Sequence, residues 1–357
     1  MEEKIFAFES AEVSIAFVPL VGMGDFIVAK KVFDTITEMV PSCKIDVFCD
    51  GERDENYVRA FYGQSKNLNR VLSFQNFYGQ NVQKYDAALR VWHMIFLDAF
   101  NAERLQKFSP ALLQSLQKVE LYNRKYVINS CAVGVILRNI TRAHILGTNR
   151  YTCLSCEGAL PIYDNRVEIS LTDEGARQFQ DLGLSKNYIT VGSNAGKKNN
   201  LARHALKEWP TASVTEYISL LNIYLPQVEV VQVGGGGVEI FANADRHLLD
   251  ANMELVKHVL KNSLLHVDCE SGLVHLATQL GTKCLVLFGP TDEKYFGFKE
   301  NLNLVSDFCR PCVWAWADGS TCLRGEMEPP CMLSLKPQLV CDVTCNYINH
   351  LAAKDNA

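Results

Sequence analysis

The sequence predicts an α/β protein made of two successive Rossmann-like domains, and three observations support this fold class. The chain has 357 residues, which is too long for one ordinary hydrophobic core and fits two domains. Hydrophobic residues make up 48% of the chain and charged residues 21%, which is typical of globular proteins. In both halves, short apolar runs alternate with helical stretches, the pattern of βαβ units around a parallel sheet.

In the first half, the apolar runs predict strands at 13–20, 44–50, 85–92 and 143–148, and a helix follows the first strand at 27–40. A polar stretch then covers 164–188. We interpret it as the end of the first domain and the connection to the second, and place the first domain at residues 1–175.

The second half repeats the alternation. Strands are predicted at 187–193, 228–237, 264–269 and 283–289, and helices at 212–225, 250–262 and 271–280. We place the second domain at residues 186–345, including a cysteine-rich loop at 309–331. Two such domains are expected to face each other across a cleft.

Charge and composition exclude several classes of protein. The net charge of -5 argues against nucleic acid as the main partner, because a phosphate backbone attracts strongly basic surfaces. No window approaches 18 consecutive apolar residues, so no transmembrane segment is expected. The acidic start lacks the basic residues of a signal peptide, which predicts a cytoplasmic protein. Thirteen cysteines, an odd number, indicate reduced thiols rather than a disulfide scaffold.

The segment 264–291 is the strongest candidate for a binding site. A predicted strand ends at Cys269, and Glu270–Gly272 leads directly into a helix. Ligands of open α/β sheets bind beyond the carboxyl ends of strands, and the N–H groups at a helix start attract phosphate. His275 lies one turn into the helix on the same face. The alternative is a structural role, in which Ser271 caps the helix and His275 packs in the core.

This segment resembles the donor-binding signature of glycosyltransferase family 9, the bacterial heptosyltransferases. The matching residues run from Glu270 through Ser271, Gly272 and His275 to Leu276, and then over Phe288-Gly289-Pro290-Thr291. Glutamate at position 270 stands where the family usually has aspartate. The resemblance extends over roughly residues 13 to 340.

Two further stretches of the second half resemble the same family. GSNAGKKNNLARHALKEWP is similar to its phosphate-binding turn, which implies that Ser193 and Asn194 lie near the phosphates and that Lys207 supplies a cation. The alternative for Lys207 is a solvated lysine at a helix start. VVQVGGGGVE is similar to the strand and turn that flank the nucleotide, with Glu239 as a ribose contact.

Near the start, VPLVGMGDFIVAKKVF resembles the family's first strand and Gly-Asp turn. The resemblance implies that Asp25 is the catalytic base. A hydroxyl that attacks an anomeric carbon must lose its proton, and a carboxylate can accept that proton. The alternative is an aspartate that caps the following helix. Lys30 and Lys31 are candidates to meet an anionic acceptor, or else belong to a solvated face.

The resemblance implies the GT-B fold, inversion at the anomeric carbon and a donor that needs no metal ion. It further implies ADP-heptose as the donor and the lipopolysaccharide inner core as the acceptor, reached by peripheral association with the inner face of the inner membrane. Alternatives are transfer of heptose to serines of autotransporter-type proteins, another hexose donor, and a catalytically silent nucleotide-sugar binding protein. A Rossmann-type oxidoreductase is disfavoured because GMGDF lacks the third glycine of GxGxxG.

Four cysteines near the end form a candidate metal site. Cys309 and Cys312 make a CxxC pair, and Cys322 and Cys331 follow in a loop rich in glycine and proline. Four thiolates suit tetrahedral zinc or iron, and the alternative is a set of reduced surface thiols. Relatives that heptosylate autotransporter proteins bind iron through four cysteines. A second CxxC, Cys153 to Cys156, is interpreted as structural.

Overall fold

The computed structural model describes residues 12–20, 22–77, 79–126, 132–192, 206–313, 322–326 and 328–355. The chain divides into two compact units, Met1–Ser170 and Leu171–Ala357. Within the described parts of the chain, none of the helices combines the length and apolar character that crossing a membrane requires.

The first unit contains a five-stranded sheet and its flanking helices. Its strands are β1 Ser14–Pro19, β2 Lys44–Cys49, β3 Leu68–Ser73, β4 Ala87–Val91 and β5 Ile95–Phe100. Its helices are α1 Met23–Met39, α2 Gly51–Tyr62, α3 Ala102–Phe108, α4 Pro110–Tyr126 and α5 Ala132–Leu146.

The order of strands in this sheet is β3-β2-β1-β4-β5. All neighbours are parallel except β4 and β5, which form an antiparallel pair. The strands β1, β2 and β4 confirm three of the runs predicted from the sequence. They consist mostly of buried residues because helices cover a parallel sheet on both faces.

The prediction of a fourth strand in the first half, at 143–148, is wrong. Residues 143–146 form the last turn of α5, where Ile145 and Leu146 are 73% and 65% exposed. A short apolar run does not by itself distinguish a buried strand from the end of a helix. The antiparallel strand β5 supplies the fifth position of the sheet instead.

The second unit contains a six-stranded sheet. Its strands are β6 Tyr188–Val191, β7 Glu229–Gly234, β8 Arg246–Leu249, β9 His266–Cys269, β10 Cys284–Phe288 and β11 Leu302–Val305. Its helices are α6 Asp173–Asp181, α7 Thr211–Tyr224, α8 Met253–Asn262, α9 Gly272–Gln279, α10 Glu293–Phe296, α11 Pro330–Ser334 and α12 Pro337–Asp355.

This second sheet is parallel throughout, in the order β11-β10-β9-β6-β7-β8. From β6 onward the strands therefore follow the doubly wound Rossmann order. The core beneath the sheet gathers buried aliphatic and aromatic side chains, among them Ile189, Trp209 and Leu285. The α/β fold class with two Rossmann-like sheets is confirmed.

Helix α6 lies inside the stretch that the sequence suggested as a connection. It packs against α8, and the Thr172 hydroxyl, at its N-cap, donates a hydrogen bond to Glu254. The division between the units accordingly falls at Ser170, a few residues before the predicted end of the first domain at 175. The last helix, α12, packs on α7 and continues to Asp355, beyond the predicted end at 345.

Candidate functional site

The site in the second unit lies where the strand order reverses. The sheet runs outward in one direction from β6 and in the other from β9, and these two strands are neighbours. Ligands of open α/β sheets bind outside the carboxyl ends of the strands at such a reversal. Gly192 follows β6 there, and Glu270 and Ser271 follow β9. The fold therefore brings together the two segments whose sequences pointed to a phosphate site.

Lys207 and Glu270 contact each other at this position. The Lys207 Nζ donates to the Glu270 Oε2 at 2.8 Å, and the two side chains are 20% and 9% exposed. The interpretation of Lys207 as a solvated lysine is therefore wrong. The Lys207 ammonium therefore lies beside the start of α9 with its charge balanced by Glu270, and an anionic ligand would have to compete with that carboxylate.

Ser271 is the N-cap of α9. Its Oγ accepts a hydrogen bond from the backbone N–H of Val274 at 3.4 Å and donates one to the Asp268 Oδ2 at 2.5 Å. The structural role foreseen for Ser271 is thus present. The N–H groups at the start of α9, beginning with Gly272, lie at the carboxyl edge of the sheet, the position of phosphate in Rossmann folds.

Asp268 also lies at this junction, in contact with Ser271, and the family resemblance did not point to it. Its side chain is fully buried at the end of β9, and its Oδ1 also accepts from the backbone N–H of Cys269 at 2.8 Å. The His266 Nε2 lies 3.6 Å from its Oδ2. The only signal in the sequence was an acid at the end of an apolar strand, which is uncommon in a buried parallel sheet.

Gly192 lies directly against Asp268. A Cβ atom at position 192 would fall 2.6 Å from the Asp268 Oδ2, closer than real Cβ contacts. Only glycine fits without movement, because the backbone after β6 must pass beside a carboxylate that Ser271 and Cys269 already hold. The backbone at Gly192 is therefore held in close contact with the Asp268 side chain.

The other donor-site candidates have different surroundings. Glu239 is exposed, and its carboxylate accepts a hydrogen bond from the Thr211 hydroxyl at the start of α7. His275 is 4% exposed and packs edge-on against Phe298, with ring centroids 5.3 Å apart, which agrees with the packing alternative. Ser193 and Asn194 lie outside the described residues.

In the first unit, Asp25 lies at the corresponding reversal. The order of the sheet reverses between β1 and β4, and β1 is followed by the turn that contains Gly22 and leads into α1. Asp25 is in the first turn of α1, and its Oδ1 accepts a hydrogen bond from the Arg150 Nη2 at 2.7 Å. The N-cap residue of α1 is Gly22, so the interpretation of Asp25 as the N-cap is wrong.

The two lysines that follow Asp25 have partners within the unit. Lys30 donates to Asp34 at 2.6 Å, and Lys31 donates to Asp164 at 2.6 Å. Lys30 is also largely buried. Neither is the simple solvated lysine that the sequence alone allowed. An anionic acceptor would have to compete with these carboxylates.

The four cysteines of the candidate metal site line one cavity of about 480 Å³ in the second unit. Its wall consists of Leu206, Pro290, Asp307, Phe308, Cys309, Arg310, Pro311, Cys312, Cys322, Leu323, Arg324, Pro329 and Cys331. Burial, and then the neighbouring thiols, raise the pKa of Cys331 to about 11. The backbone N–H groups of Cys312 and Val313 donate to the Pro290 carbonyl at 2.8 and 3.1 Å, so this loop is tied to the Phe-Gly-Pro-Thr segment.

The thiols share a cavity without forming a coordination shell. Among the residues that the structure describes, no three His, Cys, Asp or Glu side chains are arranged to hold a metal ion. Four cysteine sulfurs around one space are nevertheless the donor set that zinc and iron prefer. Gly289 lets the side chains of Met332 and Cys331 lie close to its backbone, because a Cβ atom at position 289 would overlap Met332 and lie 3.1 Å from the Cys331 Sγ. The second CxxC, Cys153 and Cys156, is buried and reduced.

The chain consists of two Rossmann-like units. The first has a Gly-Asp turn after β1, and the second has the residues Glu-Ser-Gly at the junction of β9 with α9. Two such units are the fold of GT-B glycosyltransferases. Solved structures of this class are similar to the chain over nearly its full length. No protein family model and no curated protein sequence matches it.

Three of these structures belong to family 9 enzymes or iron-containing relatives. ADP-heptose lipopolysaccharide heptosyltransferase II of E. coli is 15% identical with a TM-score of 0.57, covering 97% of this chain and 100% of that one. A family 9 glycosyltransferase from Veillonella parvula is 12% identical with a TM-score of 0.61, covering 96% and 99%. The iron-containing dodecameric glycosyltransferase TibC from enterotoxigenic E. coli is 12% identical with a TM-score of 0.58, covering 96% and 80%. The fold that the sequence motifs implied is therefore the observed fold.

Proposed function

We propose that this protein is an inverting glycosyltransferase that transfers heptose from ADP-heptose to a hydroxyl of the lipopolysaccharide inner core. The observation that carries the proposal is the site at the β6/β9 reversal, where Lys207 lies beside the start of α9. A nucleoside diphosphate carries the charge that such a site neutralises. The choice of ADP-heptose is supported by two similar structures, an ADP-heptose lipopolysaccharide heptosyltransferase and a heptosyltransferase in complex with ADP-D-β-D-heptose.

In this proposal, the second unit binds the donor. Ser193, Asn194, Lys207, Ser271, Gly272 and His275 would surround the diphosphate, Glu270 would contact the sugar, and Glu239 would contact the ribose. Lys207 and the N–H groups of α9 stabilise the charge that develops on the departing ADP, which contributes most in the transition state. The donor then needs no metal ion.

The first unit supplies the base. Asp25 would remove the proton of the acceptor hydroxyl as that oxygen attacks the anomeric carbon from the face opposite ADP. The new C–O bond forms as the bond to the diphosphate breaks, so the configuration inverts. A carboxylate in this role contributes about 10²–10⁴-fold to the rate. We place the reaction in the cytoplasm, at the inner face of the inner membrane, where the chain would associate peripherally.

A second candidate acceptor is a serine of an autotransporter-type protein. The four cysteines around one cavity favour this candidate, because TibC, a similar structure, is iron-containing. We propose that Cys309, Cys312, Cys322 and Cys331 close around one structural zinc or iron ion, which requires the thiols to move inward. Such an ion would brace the loop attached to Pro290 and leave no open position for substrate.

Calorimetric titration with ADP-heptose and with UDP-, GDP- and dTDP-sugars tests the donor. The expected result is tightest binding of ADP-heptose, and loss of binding in Gly272→Val, whose side chain would occupy the space of the phosphate. Turnover is then measured with lipopolysaccharide inner core and with a serine-containing autotransporter fragment. Binding without turnover on either acceptor would support the silent binding protein, and no binding of any nucleotide sugar would refute the proposal.

A further inference from the structure

The Asp25 carboxylate forms an ion pair within the first unit. Arg150, 125 positions later in the chain, donates from Nη2 to the Asp25 Oδ1 at 2.7 Å. The Arg150 side chain is 3% exposed, whereas that of Asp25 is 25% exposed. An arginine buried to this extent, with the carboxylate that it meets still reachable by solvent, is placed to act on that carboxylate.

The backbone that carries Arg150 is held rigidly. After α5, Gly147 turns the chain with a φ of 68°, a conformation that favours glycine. The Asn149 side chain then accepts from the N–H groups of Tyr151 and Thr152, both at 2.9 Å. The Cys153 thiol donates to the Arg150 carbonyl at 3.4 Å. These contacts fix the direction from which the guanidinium approaches.

We infer that Arg150 is a positioning residue, which orients the Asp25 carboxylate and keeps it ionised for its role as base. This inference rests on the proposed function. A guanidinium is always charged and presents its N–H groups in a fixed plane, so it selects one orientation of the carboxylate. A cation within about 4–6 Å also lowers the pH at which a carboxylate takes up a proton, by about 1–3 pH units.

Several other charged groups on α1 and on the helices that pack against it, α2 and α4, form ion pairs, and Glu38, Glu52 and Lys118 are the remaining charged residues of these helices. The ion pairs there are Lys30 with Asp34, Lys31 with Asp164, Arg53 with Asp54, Arg59 with Glu55, Arg124 with Glu120, and Lys125 with Glu157. Arg150 is a cation in direct contact with Asp25, and removing it should change the behaviour of that carboxylate.

The test compares Arg150→Met and Arg150→Lys with the wild-type chain, using ADP release from ADP-heptose with lipopolysaccharide inner core as acceptor. In Arg150→Met, the acid limb of the kcat/KM profile should move up by about one pH unit or more, because the base loses its cation. Arg150→Lys should keep the position of the acid limb and lose part of kcat, because it retains the charge without the planar geometry.

A matched control is Arg104→Met. Arg104 meets the buried Asp86 in the same unit, its Nε 2.5 Å from the Asp86 Oδ1, so this variant also loses an arginine–aspartate pair. It should lower the unfolding temperature and leave the acid limb in place. If Arg150→Met behaves in the same way, Arg150 has only a structural role and the inference is wrong.

A second measurement separates this inference from the proposed function. The side-chain carboxyl ¹³C signal of Asp25, assigned by its loss in Asp25→Asn, is titrated in the folded full chain with and without Arg150→Met. An upward shift with no transferase activity in the wild type would refute the function and leave the coupling of Arg150 to Asp25 intact. An unchanged titration would overturn the inference even if the enzyme is active.

Discussion

Lys207 and Glu270 form an ion pair at 2.8 Å although 63 positions separate them in the chain. The pair joins the segment that follows β6 to the start of α9, the two sides of the candidate donor site. Glutamate at 270 is one methylene longer than the aspartate that family 9 usually has. Here its carboxylate accepts a hydrogen bond from Lys207 and fixes the position of that cation beside the start of α9.

Replacing Lys207 by alanine should lower kcat/KM for ADP-heptose about 10²-fold or more, because the charge that develops on the departing diphosphate loses its cation. Lys261→Ala serves as the control. Its Nζ donates to the Leu280 carbonyl in the same unit, and its loss should leave kcat/KM nearly unchanged. Equal kinetics for both variants would remove Lys207 from the donor site.

Asp25→Asn should lower kcat about 10²–10⁴-fold and leave the affinity for ADP-heptose unchanged, because the amide cannot accept the proton of the acceptor. The measurements are steady-state turnover and calorimetric donor binding. Asp34→Asn on the same helix removes the partner of Lys30 and should keep most of kcat. Full turnover in Asp25→Asn would exclude Asp25 as the base.

The contact between Gly192 and Asp268 predicts coupling between the two positions. Gly192→Ala should lower the free energy of unfolding by about 1–3 kcal/mol, because its methyl group overlaps the held carboxylate. Asp268→Ala should weaken donor binding, because the Ser271 hydroxyl loses its acceptor.

A double-mutant cycle in urea tests this coupling. The double variant should be less destabilised than the sum of the two single variants, with an interaction energy of about 0.5–3 kcal/mol. Strictly additive losses would show that the backbone at Gly192 relaxes away from Asp268.

The four-cysteine cavity predicts one bound zinc or iron ion per chain, measured by elemental analysis of protein purified without a histidine tag. Replacing Cys322 by serine should remove the ion and lower the unfolding temperature more than it lowers activity per folded molecule. Cys345→Ser on α12, away from this cavity, is the control. A metal content near zero, with all four thiols reacting freely in the native chain, would show ordinary reduced cysteines.

Local patterns determined much of the fold. Runs of buried β-formers predicted β1, β2, β4, β6, β7, β9 and β10, and the junction of β9 with α9 was predicted down to Ser271 at the start of the helix. These features depend on residues that are close together in the chain, so they can be predicted from the sequence alone. The apolar run at 143–148 was wrongly predicted as a strand, because its apolar residues belong to the end of helix α5. Local patterns therefore do not always distinguish a strand from a helix end.

Only the tertiary structure decided which distant groups meet. The Lys207–Glu270 pair, Asp268 beneath Gly192, and Arg150 on Asp25 each join segments that no periodicity connects. The sequence by itself determined the α/β alternation and the glycine, serine and aspartate residues at the turns, because backbone sterics and capping act locally. The pairing of Lys207 with Glu270 was decided by the order in which the parallel strands assemble, because that order sets which turns lie side by side.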